Sequence, residues 1–225
     1  MVGTVFDSLD PSKQSVLIKH LELVIEANKT TNLTRIGSLE EGMILHVEDS
    51  LSALPEILEA PDGLYADLGS GAGYPGIPLA VATGRTTLLV DSRQRKMLLV
   101  KEMIEQLGLS GQIDVYAGRA ELLAKSRANK FSVITARALS KLSVLMELAS
   151  PLLKRDGLLV CYKSHIEDEE LQNAIRIQEI VGMKLESDRS FELENYDRRI
   201  ICFKKISKPK VKLPRQEGQA QKNPL

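Results

Sequence analysis

The residues with the most chemical information lie in one short stretch: Asp67, Gly69, Gly71, Gly73 and Tyr74. Glycine lets the main chain approach a ligand closely and adopt positive φ at little cost. Alternate glycines after an apolar run therefore indicate a nucleoside site. A dinucleotide site has the spacing G-x-G-x-x-G and faces a pyrophosphate, whereas here Tyr occupies position 74 and Asp67 would repel a phosphate. S-adenosylmethionine (AdoMet) has an ammonium group and no phosphate, so the stretch predicts AdoMet with these five residues around it.

A second acid follows a second apolar run, where residues 86–91 read TTLLVD and end in Asp91. An acid about 20 residues beyond the first glycine turn is placed to meet ribose hydroxyls. Two acid-tipped strands joined by a Gly/Pro-rich turn and a helix form a βαβ unit. The pair favours a cofactor site over a simple tight turn between a strand and a helix, the alternative for the glycines alone.

Two further positions follow the third and fourth predicted strands. Ala120 and Glu121 lie in the segment Gly118–Glu121, where a sheet of this kind presents groups to an adenine; Arg119 and Glu121 are equally compatible with an exposed ion pair. Arg137 follows the fourth strand and faces the transferred methyl group and its acceptor. Its cation could steer an RNA phosphate or hold a base, or form a salt bridge to a nearby acid.

Several missing motifs limit the chemistry. The chain has no Pro-Pro pair between Asp, Asn or Ser and an aromatic residue, which disfavours methylation of an exocyclic amine, and no Pro-Cys loop. Cys161 and Cys202 lie in apolar strand-like runs, so they are expected to be buried thiols rather than nucleophiles. The three histidines are scattered, and no metal site is expected. The acceptor should thus be nucleophilic when neutral, as guanine N7 is, and positioning should supply most of the rate.

Charge is distributed unevenly along the 225 residues, whose formal net charge is zero. From residue 198 onward the chain carries nine cations and one acid, while the preceding part carries 21 cations and 29 acids. A basic end on an acidic body indicates a polyanionic partner or a solvated end. The chain shows no signal segment or membrane span, so a cytoplasmic protein is expected.

The predicted helices and strands that carry these residues alternate along the chain. Helical periodicity predicts a helix over 11–28 and a second that Pro55 interrupts, which together form an N-terminal cap. Strands are predicted at 64–68, 87–91, 113–117, 131–135 and 158–162, separated by helices, and an antiparallel hairpin at 189–193 and 199–205. This order is typical of an α/β protein, a class I AdoMet-dependent methyltransferase with a Rossmann-like sheet, a helical cap and a terminal hairpin. The segment from 207 is expected to be an extended tail.

In these residues and motifs, the chain closely resembles the RsmG (GidB) family of bacterial 16S rRNA guanine-N7 methyltransferases. The resemblance rests on residues 28–34 (NKTTNLT), 46–51 (HVEDSL), 67–79 (DLGSGAGYPGIPL), Asp91-Ser92 with Lys96, 119–121 (RAE), 136–138 (ARA), 213–218 (LPRQEG) and 222–225 (KNPL). It implies methylation of a guanine N7 in the 530 loop of small-subunit rRNA. It also implies AdoMet contacts at Gly69, Tyr74, Ala120, Glu121 and Arg137.

The full interpretation divides the chain into a cap (1–60), an AdoMet-binding domain (61–206) and a basic tail (207–225). Arg137 and Lys163 are expected to flank the acceptor as catalytic residues. The residues expected to face RNA are Asn32, His46, Arg198, Arg199, Lys208, Lys210, Lys212 and Arg215. The expected partner is 16S rRNA or the 30S subunit. The protein itself is expected to be a monomer.

Three alternatives differ in class. An NAD(P)-dependent oxidoreductase is disfavoured by Tyr74, which stands where a dinucleotide site has its third glycine. A non-catalytic RNA-binding or ribosome-assembly factor on the same fold is disfavoured by the two cofactor acids. A small-molecule methyltransferase is disfavoured by the basic tail.

Overall fold

A computed structural model describes residues 4–225 as a seven-stranded sheet covered by helices on both faces. The strands run in the spatial order β3-β2-β1-β4-β5-β7-β6. Their bounds are β1 Leu64–Leu68, β2 Thr87–Asp91, β3 Ile113–Ala117, β4 Phe131–Arg137, β5 Leu153–Lys163, β6 Met183–Leu193 and β7 Tyr196–Lys205.

The helices precede the sheet and alternate with its strands. Their bounds are α1 Pro11–Asn28, α2 Leu39–Gly42, α3 Asp49–Leu51, α4 Leu54–Glu59, α5 Gly76–Thr83, α6 Gln94–Gln106, α7 Ala120–Ser126, α8 Leu142–Ala149, α9 Asp168–Ile177 and α10 Gln219–Lys222. A π-helical segment, Met43–Glu48, joins α2 to α3. In the part of the chain that the structure describes, no helix combines the length and apolar character needed to cross a membrane.

The first five strands are parallel, and β7 and β6 extend the sheet with antiparallel pairing. β1 pairs with β2 on one side and with β4 on the other. The direction of strand progression therefore reverses at β1, and the helices that follow β1 and β4 pack on opposite faces. Such a reversal opens a crevice at the carboxyl ends of the strands. The predicted α/β sheet and its five parallel strands are confirmed.

The central strands read as apolar runs because they are buried on both faces. In β1, Ala66 and Leu68 pack with α7 and α8 in one hydrophobic cluster, whereas Tyr65 packs on the other face beside Leu79 of α5. Side chains of β1 alternate between the two faces of the sheet, and both faces are buried. The strand is therefore apolar except for the acid at position 67. This burial fixes where β1 ends and where the glycine turn begins.

Two elements differ from the sequence prediction. Pro55 lies in the first turn of α4, where a missing N–H has no cost, so it starts a helix rather than ending one. Residues 207–225 are not an extended tail, because they return across the body and bury Ala220 to 1% exposure. The hairpin is confirmed with longer strands, and only Glu194 and Asn195 lie between β6 and β7.

Candidate active site

A cavity of about 380 Å³ opens at the carboxyl ends of β1, β2, β3 and β4, at the crevice that the topology predicts. Its lining comprises Leu33, Thr34, His46, 68–72, Tyr74, 90–93, Lys96, 118–121, 137–139, Leu148 and Gln221. Small-molecule sites are commonly concavities of this size. The cavity brings together Gly69, Gly71, Tyr74, Asp91, Ala120, Glu121 and Arg137 from the sequence prediction.

The glycine turn is held by the end of β2. Oδ2 of Asp91 accepts a hydrogen bond from the Gly71 amide at 3.1 Å, and Oδ1 accepts one from the Arg93 amide at 2.9 Å. Gly71 has a φ of +56° and Gly69 a φ of +75°, both in the left-handed region that favours glycine. Asp91 therefore both lines the cavity and fixes the turn beside it.

Asp67 occupies a different place from the one that an ammonium contact requires. Its side chain is fully buried and absent from the cavity lining. Oδ2 accepts a hydrogen bond from the Gly76 amide at 3.1 Å, and Oδ1 accepts one from Oγ1 of Thr135 at 2.7 Å. Burial raises the pKa of Asp67 to about 7. The carboxyl group thus joins β1 to β4 and to the start of α5, beneath the turn.

Close packing at Gly76 explains this position. A Cβ added there would overlap Cδ2 of Leu89 and lie 3.0 Å from Oδ2 of Asp67. Glycine lets the start of α5 lie directly on β1 and β2, and the Gly76 amide hydrogen-bonds the Asp67 carboxylate. Gly73 has a φ of +95° and turns the chain toward α5 outside the cavity lining.

The Tyr74 ring lies between two histidines. His46 stacks on it with a centroid distance of 4.3 Å and an interplanar angle of 7°, and His20 lies 4.6 Å away on a tilt. Tyr74 is 4% exposed and lines the cavity. Among the described residues, the buried Tyr74 hydroxyl and His20 Nδ1 have no hydrogen-bond partner.

Both histidines are held neutral by burial. Burial lowers the pKa of His20 to about 4, and burial together with nearby Arg137 lowers the pKa of His46 to about 3. His46 also hydrogen-bonds Oγ1 of Thr34 at 2.9 Å. His46 is therefore a largely buried side chain in the wall of the cavity.

Arg137 lines the cavity and is also tied to the helical cap. Nη1 donates to Oδ2 of Asp49 at 2.7 Å and to the Leu45 carbonyl at 3.0 Å. The other Asp49 oxygen accepts from Nε of Arg198 at 2.6 Å. The sequence left open whether Arg137 meets a ligand or a salt-bridge partner, and the structure gives it the salt bridge beside the cavity.

Lys163 does not line the cavity. Its Nζ donates to the Ser140 carbonyl at 2.9 Å and to Oε1 of Glu170 at 2.6 Å. Glu170 lies on α9, which β5 precedes, so the lysine ties the end of its own strand to the following helix. The amine of Lys163, predicted to be catalytic, therefore forms an ion pair with Glu170 away from the cavity.

Most of the predicted RNA-facing cations are paired with acids. Arg198 pairs with Asp49, Arg199 with Asp188, Lys210 with Glu179 and Arg215 with Glu147. The Lys210 pair is well exposed, whereas the Glu147 side chain is only 3% exposed. Lys208 and Lys212 are exposed, and Asn32 is exposed next to Leu33 at the cavity.

Sequence reasoning did not assign a role to several lining residues. Lys96 donates from Nζ to the Leu33 carbonyl at 2.9 Å, which connects α6 to the cap, and burial lowers its pKa. Lys96 lies in the first turn of α6, directly after β2, and this position in the sequence could have indicated that it lines the cavity. Leu139 and Gln221 also line the cavity, and no local pattern marks them.

The cavity fits a nucleoside cofactor with a charged amino-acid end. Backbone from the glycine turn is exposed to it, and the acids Asp91 and Glu121 line it with the cations Lys96 and Arg137. Tyr74 also lines the cavity, while its hydroxyl is buried away from it. The fold and the site are those of the class I AdoMet-dependent methyltransferases.

Comparisons with known proteins identify the family within this class. Residues 13–200 match the family described as GidB, rRNA small subunit methyltransferase G. A relative of that name from Lactobacillus acidophilus is 33% identical over 98% of this chain and 94% of its own length. One from Caldicellulosiruptor bescii is 37% identical over 93% and 91%. The chain belongs to this family of methyltransferases.

Solved structures share the fold at low identity. A SAM-dependent methyltransferase from Aquifex aeolicus has a TM-score of 0.54 at 18% identity, covering 72% of this chain and 92% of its own. A precorrin-6y C5,15-methyltransferase from Geobacter metallireducens has a TM-score of 0.52 at 13% identity, covering 69% and 87%. These likenesses concern the sheet and its helices.

Proposed function

We propose that this protein methylates N7 of a guanine in the 530 loop of bacterial 16S rRNA, with AdoMet as the methyl donor. The observation that carries the proposal is the cavity at the β1 crevice, which joins Asp91, the glycine turn and Arg137 in a chain of this family. Neither the oxidoreductase nor the non-catalytic alternative explains all of these features.

The lining residues have distinct roles toward the cofactor. Gly69 and Gly71 present backbone beneath it, Asp91 binds the ribose hydroxyls, and Ala120 and Glu121 contact the adenine side. Arg137 lies at the opposite end, toward the acceptor. Asp67 acts indirectly, because it holds the turn and α5 in place through Gly76. The role of Lys163 is likewise to hold the end of β5 rather than to touch the guanine.

AdoMet, when bound, supplies an electrophilic methyl group on a sulfonium sulfur. Held by the glycine turn, Asp91 and Glu121, it would supply this methyl group to the N7 lone pair, and the electrons of the S–C bond would remain with sulfur. N7 carries no proton, so no general base is required. The protein's task is to align the acceptor and exclude water. Arg137 is suited to this because Asp49 and the Leu45 carbonyl, both in the cap, fix its guanidinium.

The RNA is expected to approach across the cap and the basic end of the chain. Lys208 and Lys212 are exposed cations, and Asn32 lies near the cavity mouth. Lys210 can exchange its exposed partner for a phosphate, because an exposed ion pair contributes little. Arg198, Arg199 and Arg215 are held by acids and are less suited to this role.

The three segments 1–60, 61–206 and 207–225 divide this work among an RNA-side cap, a cofactor domain and a basic C-terminal segment. We take the acting form to be a cytoplasmic monomer and its substrate to be the 30S subunit or its rRNA. The charge distribution supports this division, because the cations are concentrated at the end of the chain.

Methyl transfer from labelled AdoMet to 30S subunits that lack the modification tests the proposal. We expect 7-methylguanosine in the 530 loop, identified by mass spectrometry of the digested rRNA, with naked 16S rRNA as the comparison substrate. Label in another nucleoside would overturn the assigned acceptor. Absence of both AdoMet binding and transfer would leave the RNA-binding alternative.

A further inference from the structure

The last 13 residues, 213–225, form a strap across the carboxyl edge of the sheet. Ala220 is 1% exposed and belongs to the main hydrophobic core, and Leu213 and Leu225 pack against the same core. Burial of apolar groups at both ends and in the middle holds the strap against the body. We call residues 213–225 the C-terminal strap.

A buried ion pair fastens the strap to α8. Nε and Nη2 of Arg215 donate to the two carboxylate oxygens of Glu147, each at 2.6 Å. The Glu147 side chain is 3% exposed and that of Arg215 is 21% exposed. Nη2 of Arg215 also donates to the Asn223 carbonyl at 2.8 Å, so one guanidinium holds both ends of the strap. Bidentate Arg–carboxylate pairs are strong and fix geometry.

The strap also reaches the cavity. The Gly218 amide donates to Oε1 of Glu121 at 2.8 Å, and Gln221, three residues further on, lines the cavity. Gly218 has a φ of +72°, which turns the chain into α10. The backbone contact occupies one oxygen of Glu121 and sets its orientation, leaving the other oxygen for a ligand.

We propose that the C-terminal strap completes the AdoMet site. In this arrangement Gln221 contacts the cofactor, while Arg215 and the Gly218 amide are positioning groups that act through the strap and Glu121. Cofactor binding and ordering of the strap are therefore coupled. The inference rests on the proposed function, since it takes AdoMet as the occupant of the cavity.

Titration calorimetry with AdoMet tests the coupling on full-length variants. Gln221→Ala changes only an exposed lining side chain, and we expect it to weaken AdoMet about two- to tenfold, as loss of one hydrogen bond does. We expect Arg215→Gln to weaken AdoMet about fivefold or more, the lower range of coupling between linked sites. Lys204→Gln is the matched control, because its exposed pair with Glu186 joins β7 to β6 and lies outside the strap.

Two further measurements separate positioning from general stability. In hydrogen exchange of the wild-type chain, AdoMet should slow exchange in peptides from 213–225 and leave those from 207–212 unchanged. The double exchange Glu147→Arg with Arg215→Glu should recover part of the affinity that Arg215→Gln loses.

The outcomes are distinct for the two proposals. If wild type does not bind AdoMet, the proposed function is wrong. If wild type binds AdoMet but Gln221→Ala and Arg215→Gln bind it equally well, the strap inference is overturned and the proposed function stands. Equal protection of 213–225 with and without AdoMet would also contradict the coupling.

Discussion

Nη1 of Arg137 and Oδ2 of Asp49 lie 2.7 Å apart, although 88 positions separate the two residues in the chain. Arg137 ends β4 at the cavity, and Asp49 follows the π-helical segment of the cap. The second Asp49 oxygen holds Arg198 of β7. One carboxylate therefore fixes the cavity-lining Arg137 relative to both the cap and the hairpin.

Loss of this carboxylate should slow methyl transfer. Asp49→Asn removes one charge that serves two arginines, and loss of a hydrogen bond to a charged group costs about 1.5–3 kcal/mol. We expect a fall in single-turnover rate on 30S subunits of about 10- to 100-fold, with a smaller change in AdoMet affinity. Asp188→Asn, which frees Arg199 on the exposed hairpin, is the control. An unchanged rate for Asp49→Asn would show that Arg137 needs no anchoring.

Substitution of Asp67 should lower the stability of the fold more than it lowers the affinity for AdoMet. Asn retains one acceptor oxygen where Asp67 uses two, for the Gly76 amide and the Thr135 hydroxyl. Leaving one buried partner unsatisfied should cost about 1–3 kcal/mol in the free energy of unfolding, measured with urea. Thr135→Val removes one of the same bonds and should destabilise in the same direction. A large loss of AdoMet affinity without loss of stability would instead restore the ammonium contact.

Two glycines of the turn should separate stability from cofactor binding. An added Cβ at Gly71 would lie 3.9 Å from the nearest atom outside the adjacent residues, whereas one at Gly73 would lie 2.6 Å from Cδ1 of Ile77. Both alanine variants place a Cβ in the left-handed region of φ, which should lower the free energy of unfolding by about 1–2 kcal/mol. Gly73→Ala should lower it by about a further 1–3 kcal/mol, because its Cβ overpacks the site.

We therefore expect urea unfolding to show the larger loss of stability in Gly73→Ala. Calorimetry should show the larger loss of AdoMet affinity, relative to stability, in Gly71→Ala, since Gly71 lines the cavity. The reverse order would contradict the position of the cofactor along this turn.

His20 should make the protein less stable in mild acid. Its folded pKa is lowered to about 4 by burial, whereas an unfolded His titrates near 6.5. Between these values the unfolded chain binds a proton that the folded chain excludes, so stability falls as pH falls from about 6.5 toward 4. His20→Gln removes this term, and its slope of unfolding free energy against pH should be flatter by up to about 1.4 kcal/mol per pH unit. Equal slopes in urea titrations at pH 7, 6 and 5 would contradict a neutral buried His20.

The exposed lysines before the strap should contribute to the salt dependence of RNA binding. Within residues 4–225, neither Lys208 nor Lys212 makes an ion pair. For each phosphate that a variant no longer neutralises, the log–log slope of affinity against salt should fall by about 0.7–0.9. The double variant Lys208→Gln with Lys212→Gln should therefore bind 16S rRNA with a flatter slope, while Arg199→Gln keeps most of the wild-type slope. An unchanged slope would mean that RNA does not cross this surface.

Local sequence patterns were enough to predict the sheet and the glycine turn. Short apolar runs marked β1 to β5 because those strands are buried on both faces, and the positive φ values at Gly69 and Gly71 required glycine. Asp91 could be placed at the cavity because it is the last residue of a predicted parallel strand, and such strands end at the same edge of the sheet. These are local properties of the chain, set by periodicity and by backbone geometry.

Long-range packing sets which polar side chains face the cavity and which form hydrogen bonds elsewhere in the protein. Asp67 is occupied by Gly76 and Thr135, and Arg137 by Asp49. Arg215 meets Glu147, which turns an expected tail into a strap. Such pairs join residues as many as 88 positions apart, and no spacing along the chain encodes them. Each depends on how helices and strands pack, because a polar group is buried only where packing provides it with a partner.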